Sequence, residues 1–363
     1  MSAVVWHLVD AMGDGEELWG KERVVAAVLL AQRAEGACDA RLICFTPGAL
    51  SRYCAARGIP VAHLEERPRR LPTRSLPALL YILAGTPGAV LHTHGYKANV
   101  VGRLARLRGA PLARVVATCH GWPDETFMTR AYNVLDRWSA FLSDVTTVPD
   151  GAMLARFPAV ARSRTLHVAN AIPDRAAPSA AARAAARRSF GWDGGFVAGL
   201  VGRLCEGKGT RDALAVANDP RCAGIEWAFA GGGPLQAEVE RAGPLVRCAG
   251  YLTSTAPFLD ALDVYVQASH SEGLSLALLE AMRAELPIVA TAVGATAMAV
   301  RDGVEGLLVA PGDRDALARA LARLRDDAGL RAGLAAAARA RFERDFRVAR
   351  QVSEFARAYG RSA

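Results

Sequence analysis

The sequence predicts an α/β protein with two domains, each built on a parallel β-sheet that is covered by helices on both faces. Three observations support this class. The chain has 363 residues, and roughly 150 residues per domain predicts about two domains. Short apolar stretches alternate with helical stretches in two successive series, as parallel sheets require. Residues 172–195, with prolines at one end and glycines at the other, predict a linker followed by the first helix of the second domain.

The first series predicts a domain at residues 1–175. Residues 3–9 are an apolar run that ends in Asp10, which is typical of a buried strand followed by a loop. Residues 23–33 have helical apolar spacing and stop near Gly36. The other predicted strands are residues 41–45, 89–94 and 114–119, with helices between them that include residues 76–83 and 100–107.

The second series predicts a domain at residues 176–340. Its strands are residues 196–201, 225–230, 246–248, 264–268, 287–291 and 306–309, separated by helices rich in Ala, Leu and Arg. Residues 317–324 and 335–359 are helical, and we expect residues 341–363 to pack back on the first domain. Open parallel sheets bind ligands beyond the carboxyl ends of their strands. We therefore expect two doubly wound domains that face each other across a cleft.

Composition excludes several classes of protein. With 52% hydrophobic and 22% charged residues, the chain is not disordered as a whole. Its longest apolar runs have about eight residues, whereas a membrane-spanning helix needs about twenty. The N-terminus does not resemble a secretory signal. Seven cysteines without a CxxC pair predict neither a disulfide framework nor a zinc site. We expect a cytoplasmic protein.

The net charge of +8 lies mostly in the first half, since residues 1–175 contain 21 Lys+Arg and 15 Asp+Glu. A basic half can attract nucleic acid, an anionic membrane surface or phosphorylated substrates. The basic residues show no aromatic interleaving and no nucleic-acid motif, so we expect no nucleic-acid partner. Peripheral contact with the inner face of a membrane stays an expectation. The cations in residues 67–74 belong either to such a surface or to a solvated loop.

Two nucleotide-binding motifs fail in this sequence. Residues 202–208 satisfy G-x-x-x-x-G-K, but position 209 is Gly where a Walker loop needs Ser or Thr. Residues 13–15 begin a GxG pattern without the third glycine of a dinucleotide fingerprint. A glycine-rich turn from strand to helix still offers backbone N–H groups to an anion. Arg203 and Lys208 add positive charge, and Lys208 is one of only three lysines in the chain. The sequence of this turn therefore predicts a diphosphate site.

The segment HSEGLSLALLEAM, residues 270–282, carries the strongest pattern. Glu272 precedes a glycine in a loop, Ser275 begins a helix, and Glu280 lies on its second turn. The spacing aligns two carboxylates and a helix N-terminus, which suits a ligand with sugar hydroxyls, phosphates and ribose hydroxyls. The alternative is that Glu280 is an ordinary exposed helix residue and Glu272 is part of a helix cap.

The sequences VGRLCEGKG, FAGGGPL, CAGYL, SEGLSLALLEAM, LPIVATAVGATAMAV and DGVEGLLVAPGD occur in order within residues 197–315. The first half contains WGKERVV, HTHGYKANVVG and ATCHGW. Together these segments resemble glycosyltransferase family 4, the retaining GT-B enzymes, with a looser similarity in the first half. The resemblance implies a GT-B architecture of two Rossmann-like domains. It also implies that the C-terminal domain binds a nucleotide-sugar donor and that the N-terminal domain holds the acceptor.

The resemblance also implies roles for individual residues. Arg203 and Lys208 would hold the donor diphosphate, Glu272 the donor sugar and Glu280 the ribose. The other residues that it assigns to the donor are Gly250, Tyr251 and Leu252 near the base, and Gly273, Leu274 and Ser275 through their backbone. Those assigned to the acceptor side are Gly20, Lys21, His94 and Lys97. His120, Arg203, Lys208 and Glu272 form the implied catalytic set.

Departures from the family pattern leave the acceptor and the sugar open. Gly20-Lys21 stands where paired glycines are usual, Ser275 where glycine is frequent, and Asn170-Ala171 where Asn-Gly is common.

The histidines have their own prediction from position. His7 lies inside the first strand and is expected to be structural, while His92 and His94 share one face of a strand end and could be either structural or functional. His120 directly follows a strand, which favours a functional role at the rim of the cleft. No Cys/His cluster has metal-ligand spacing, and Asp313-Arg-Asp315 is expected to cap a helix. We expect no metal and no cofactor.

The resemblance therefore implies a retaining glycosyltransferase that moves a sugar, which we expect to be a hexose, from a nucleotide diphosphate sugar to a saccharide or lipid-linked acceptor. We favour uridine as the base and envelope or exopolysaccharide assembly as the role. Two alternatives remain: a nonhydrolysing nucleotide-sugar epimerase, and a non-catalytic nucleotide-sugar-binding protein.

Overall fold

The structure is a computed structural model that describes residues 3–10, 18–64, 75–122, 127–192 and 194–360. The GxG pattern at residues 13–15 and the basic stretch at residues 67–74 lie outside these residues. The chain forms two compact units, Met1–Pro173 with Val348–Ala363, and Asp174–Arg347. Each unit contains a parallel sheet flanked by helices, so the predicted α/β class with two Rossmann-like domains is confirmed.

The first unit contains a seven-stranded parallel sheet in the order β3-β2-β1-β4-β5-β6-β7. Its strands are β1 (Val4–Val9), β2 (Asp39–Cys44), β3 (Val61–His63), β4 (Ala89–His94), β5 (Leu112–Thr118), β6 (Val145–Val148) and β7 (Thr165–His167). The strands β3, β6 and β7 were not predicted. They have only three or four residues, and the sequences VTTV and TLH lack the long apolar run of a buried strand.

Helices cover both faces of this sheet. Val5 and Val9 of β1 pack into one apolar cluster, and Trp6 and Leu8 pack into another on the opposite face, as the two-residue period of a strand requires. The last helix contributes Phe355 to the first of these clusters. The helices of the unit are α1 (Gly20–Ala34), α2 (Ala49–Ala55), α3 (Ser75–Ala84), α4 (Tyr96–Leu107), α5 (Phe127–Trp138), α6 (Ala159–Arg162) and α15 (Val348–Ala358).

The second unit contains a six-stranded parallel sheet in the order β10-β9-β8-β11-β12-β13, the strand order of a Rossmann fold. Its strands are β8 (Phe196–Val201), β9 (Ile225–Ala230), β10 (Val246–Gly250), β11 (Val264–Gln267), β12 (Ile288–Thr291) and β13 (Leu307–Val309). Its helices are α7 (Ala180–Ser189), α8 (Thr210–Ala217), α9 (Gln236–Glu240), α10 (Ala256–Asp260), α11 (Leu276–Arg283), α12 (Thr296–Ala299), α13 (Arg314–Asp326) and α14 (Ala328–Asp345).

The predicted helix over residues 335–359 is in fact two helices, α14 and α15, which belong to different units. The break follows from a hydrogen bond outside the helix, because the Val348 N–H donates to the carbonyl of Ile172 at 3.0 Å. No described helix is both long enough and apolar enough to cross a bilayer.

Candidate active site

Both sheets have a switch point at which the direction of strand order reverses. It lies between β1 and β4 in the first sheet and between β8 and β11 in the second. Open parallel sheets bind ligands outside the carboxyl ends of the strands at this point. Lys208 follows β8 and Glu272 follows β11. Two predicted donor residues therefore come from the two strands that flank the switch point of the second sheet.

Lys208 and Glu272 form an ion pair. The Lys208 ammonium donates to Glu272 Oε1 at 2.6 Å, and the Ser269 hydroxyl donates to the same oxygen at 2.8 Å. The Glu272 side chain is 8% exposed and that of Lys208 is 35% exposed. An ammonium has three N–H donors, and the described residues use one of them. The pair lines a small pocket and holds a cation with further donors in reach of a ligand.

The loop that carries Lys208 is fixed by its backbone. The His270 N–H donates to the carbonyl of Gly207 at 3.0 Å, which ties this loop to the Glu272 loop. Gly209 has φ +65°, and a Cβ there would lie 1.9 Å from the carbonyl oxygen of Ala268. A Ser or Thr does not fit at this position, which explains in structural terms why the Walker pattern fails.

Arg203, the other predicted phosphate ligand, is exposed on the turn after β8. It forms no ion pair with another described residue.

Helix α11 begins beside Glu272. Ser275 caps it by accepting the N–H of Leu278 at 3.4 Å. A Cβ on Gly273 would meet no atom within 4 Å, so the backbone there is open to a ligand, while the Leu274 side chain is buried. Glu280 is 2% exposed and accepts the Thr255 hydroxyl at 2.9 Å. The alternative that Glu280 is an ordinary exposed helix residue is therefore wrong.

The residues predicted near the base lie at and just after the end of β10, the outer strand of the sheet. Gly250 has φ +65° and turns the chain, Tyr251 is 51% exposed, and Leu252 is half-buried. Since β9 lies between β10 and β8, these residues stand about 10 Å across the sheet from the strand before Lys208. The Tyr251 ring, at about 10 Å from that strand, can face one end of an extended ligand.

The charges of Lys21 and Lys97 act on the side-chain carboxyl of Asp10 at the switch point of the first sheet. Lys21, beside Gly20 at the start of α1, donates from Nζ to the carbonyl of Asp10 at 2.5 Å. Lys97 on α4 is 4% exposed, and its ammonium has no hydrogen-bond partner among the described residues and lies 4.5 Å from the Phe45 ring. Burial raises the pKa of Asp10, and the two lysine charges act against that rise.

Four of the six histidines of this unit form one group. His7, His92 and His94 are buried, and His94 Nδ1 lies 3.2 Å from His120 Nε2. His94 therefore lies within the fold and can act on a ligand only through a neighbour such as His120, which is half-buried at the end of β5. Sequence spacing did not show this group because it comes from separate strands. The parallel register that pairs His7 with His92 brings them together.

In the part of the chain that the structure describes, two groups of side chains have the chemistry to hold a metal. One ring nitrogen from each of His7, His92 and His94 lies within 4.8 Å of the others, yet all six ring nitrogens of these residues are in hydrogen bonds with neighbouring side chains, which a metal would have to displace. Asp313 caps α13 by accepting the Ala316 N–H at 2.8 Å, and Asp315 lies 2.6 Å from an Arg221 nitrogen. Both carboxylates already have structural partners.

Two family matches together span most of the chain. Residues 20–171 match the family described as "Glycosyl transferase 4-like domain", and residues 195–327 match "Glycosyl transferases group 1". A D-inositol 3-phosphate glycosyltransferase from Salinispora arenicola is 34% identical over 252 residues, which cover 64% of this chain and 53% of the relative. The chain thus spans about half the length of the curated relatives that it matches first.

A more distant relative aligns over a longer part of the chain. It is the UDP-Gal:α-D-GlcNAc-diphosphoundecaprenol α-1,3-galactosyltransferase of Escherichia coli, 25% identical over 313 residues and 80% of each chain. Among solved structures, HepE of Anabaena in complex with UDP has a TM-score of 0.83 at 19% identity, covering 98% of this chain and 99% of that one. HepE has also been solved with UDP-glucose. The likeness to these structures shows a GT-B fold.

Proposed function

This chain belongs to the family 4 glycosyltransferases, because it contains a glycosyl transferase 4-like domain and a glycosyl transferases group 1 domain. We propose that it transfers a sugar from a UDP-sugar to an acceptor with retention of configuration. The observation that carries the proposal is the Lys208–Glu272 pair at the switch point of the second sheet. It puts a cation for a leaving diphosphate next to a carboxylate for sugar hydroxyls. The UDP and UDP-glucose complexes of HepE support this choice of donor.

On the donor side, each group has a distinct task. Arg203, Lys208 and the N–H groups at the start of α11 balance the charge that develops on the diphosphate as it leaves. Glu280 accepts from ribose hydroxyls, and Glu272 accepts from hydroxyls of the sugar. The bond from the anomeric carbon to the diphosphate breaks, the bond to the acceptor oxygen forms on the same face, and the departing phosphate oxygen takes the acceptor proton.

On the acceptor side, Lys21 and Lys97 favour an acceptor with an anionic group. The Lys97 ammonium is buried, and a buried charge is costly unless it is paired. Asp10 acts on both lysines and Glu22 on Lys21, and a phosphate on the acceptor would supply further negative charge. A phosphate-bearing saccharide or lipid-linked saccharide, consistent with a role in envelope or exopolysaccharide assembly, is our proposed acceptor class. The names of these two relatives, one a D-inositol 3-phosphate glycosyltransferase and one a galactosyltransferase that acts on a GlcNAc-diphosphoundecaprenol, agree with it.

Contact with a membrane surface is supported by an unusual helix. In α5 the polar residues Asn133 and Asp136 are buried, while large apolar side chains face outward. The exposed ones on α5 and the turn after it are Phe127, Met128, Val134, Leu135, Trp138 and Phe141. Such a face on a unit with excess positive charge fits an anionic lipid surface. The test is sedimentation with phosphatidylglycerol vesicles, which Trp138→Glu should weaken and Leu245→Glu, an exposed apolar position in the other unit, should not.

The proposed activity is tested by UDP release. The protein is offered UDP-hexoses with phosphorylated and neutral saccharide acceptors, and NMR of the product gives the anomeric configuration. We expect acceptor-dependent UDP release and a product with the configuration of the donor. Conversion of the donor to its epimer without an acceptor would instead identify an epimerase. Tight UDP-sugar binding without turnover on any acceptor would identify a binding protein.

A further inference from the structure

A continuous hydrogen-bonded chain of polar side chains runs through the interior of the first unit, starting at His120. It passes from His120 to His94 at 3.2 Å, to His7 at 2.9 Å and to the Gln32 amide oxygen at 2.9 Å. From the Gln32 amide nitrogen it continues at 3.0 Å to the hydroxyl of Tyr359 on the turn after α15. The Tyr359 hydroxyl lies 2.7 Å from His92 Nδ1, and His92 Nε2 lies 2.7 Å from the Thr118 hydroxyl. The chain ends at the Thr147 hydroxyl, 2.6 Å from that of Thr118. We call this set the histidine relay.

Burial keeps the imidazoles of the relay neutral. It lowers the pKa of His7 to about 4 and that of His120 to about 3, and it lowers the pKa of His92 and His94 well below the usual value. The nearby Lys21 charge lowers the pKa of His94 and His120 further. A neutral imidazole has one N–H donor and one lone-pair acceptor. In each ring, therefore, one nitrogen donates a hydrogen bond and the other accepts one, so the role of one nitrogen determines the role of the other.

The Gln32 amide sets that direction because its two ends are not equivalent. Its oxygen can only accept, so His7 Nε2 carries the proton and His7 Nδ1 is the acceptor. His94 must then donate from Nε2 and accept at Nδ1, which requires a proton on His120 Nε2. The other ring nitrogen of His120, Nδ1, is left with its lone pair.

The other half of the relay is consistent with the same direction. The Gln32 NH₂ group donates to the Tyr359 hydroxyl, which can therefore donate to His92 Nδ1. His92 Nε2 then donates to the Thr118 hydroxyl. A single amide orientation thus satisfies every ring nitrogen of the three buried histidines.

We propose that Gln32, acting through His7 and His94, is a positioning residue that fixes His120 as its Nε2–H tautomer and presents Nδ1 as an acceptor to a ligand hydroxyl. The identity of that hydroxyl, on the sugar of the donor or acceptor, rests on the proposed function. The tautomer does not, because it follows from contacts within the unit. His120 accordingly serves as a neutral acceptor and carries no positive charge.

Long-range ¹H–¹⁵N correlation spectra of ¹⁵N-histidine-labelled protein test the tautomer without any substrate. His120→Asn assigns the His120 signals among the seven histidines. We expect a protonated Nε2 and a bare Nδ1 for His120 at neutral pH. A protonated Nδ1, a rapidly averaged pair or an imidazolium at His120 would overturn the proposal whether or not the protein is a glycosyltransferase.

Gln32→Glu tests the role of the amide. The carboxylate favours a cationic His7, whose Nδ1–H would donate to His94 and so reverse the relay, moving the proton of His120 to Nδ1. With an active donor and acceptor pair we expect kcat to fall roughly 5- to 150-fold, the loss of one hydrogen bond, with a much smaller change in the donor KM. The matched control is Gln351→Glu, a second buried glutamine of this unit that bonds to Ala169 and not to the relay.

Two outcomes of this comparison count against Gln32. An unchanged His120 tautomer in Gln32→Glu would overturn its positioning role. An equal loss of kcat in Gln32→Glu and Gln351→Glu would show only the cost of a buried carboxylate. If Gln32→Glu does not fold, Gln32→Met replaces the amide with an apolar side chain of similar size, and we expect His120 to show both tautomers.

Discussion

Replacing Lys208 with methionine separates the charge of this residue from its packing. The ammonium is lost while the aliphatic length is kept. Charge-assisted hydrogen bonds to the diphosphate are worth about 1.5–3 kcal/mol each, so UDP affinity should fall about 10- to 150-fold. We expect a value towards the upper end, because the 8%-exposed Glu272 carboxylate then faces the incoming diphosphate without its cation.

The double variant Lys208→Met/Glu272→Gln isolates that repulsion. If the carboxylate opposes UDP in the single variant, removing its charge should recover part of the affinity. Coupling energies between contacting residues are about 0.5–3 kcal/mol, which is a recovery of roughly 2- to 150-fold. Isothermal titration calorimetry with UDP measures the affinity of the wild type, the two single variants and the double variant. All four are measured at one ionic strength, because salt screens the charge of Lys208, which is the less buried of the two.

Arg211→Met controls for a general loss of positive charge near the loop. Arg211 lies three residues after Lys208, is 49% exposed and pairs with Glu206 and Glu238. Exposed pairs contribute little, so UDP affinity should change by less than about twofold. Wild-type affinity in Lys208→Met, or an equal loss in Arg211→Met, would refute the assignment of Lys208 to the diphosphate.

Three further predictions concern the remaining site residues. Glu280→Gln should weaken UDP and UDP-sugar by the same factor, roughly tenfold, whereas Glu272→Gln should spare UDP and weaken only the sugar-bearing donor; calorimetry showing the reverse order would place the motif backwards. His120→Ala should lower kcat more than it raises the donor KM in steady-state assays, and wild-type turnover would contradict this. Asp313→Ala/Asp315→Ala should lower the melting temperature through a lost helix cap of about 0.5–2 kcal/mol, while turnover should persist in excess EDTA; loss of activity restored by Mg²⁺ or Mn²⁺ would overturn the proposed leaving-group chemistry.

The sequence predicted those parts of the fold that depend on local pattern. The strands with long apolar runs, such as Phe196–Val201, were identified because a strand buried on both faces is apolar at every position. The short strand Val145–Val148 has two threonines at its centre and was missed, since only its neighbours β5 and β7 make it a strand. The break between α14 and α15 was missed for the same reason, because a hydrogen bond to Ile172 decides it.

The candidate site divides in the same way. Lys208 and Glu272 stand in local motifs. The order of these motifs resembles that of family 4, and this resemblance predicted that the two residues share a site. The relay depends instead on register: His7 meets His92 because β1 and β4 pair in parallel, and Tyr359 arrives on a helix that returns from the end of the chain. Neither relation is encoded in short-range spacing. The position of His7 inside a strand correctly indicates burial but gives no sign of what it touches.

Glycine positions explain how residues far apart in the sequence can share one charge pair. Gly209 and Gly294 have positive φ, and a Cβ on either would lie within 2 Å of a carbonyl oxygen, that of Ala268 in the first case and of Glu272 in the second. The loop after β11 is therefore held between the loops after β8 and β12 by direct backbone approach. No side chain separates the loop backbones at these two glycines, so the loops that carry Lys208 and Glu272 stay next to each other. The glycines of the motif are readable in the sequence because this approach of three loops requires them, and we propose that a ligand requires its charges.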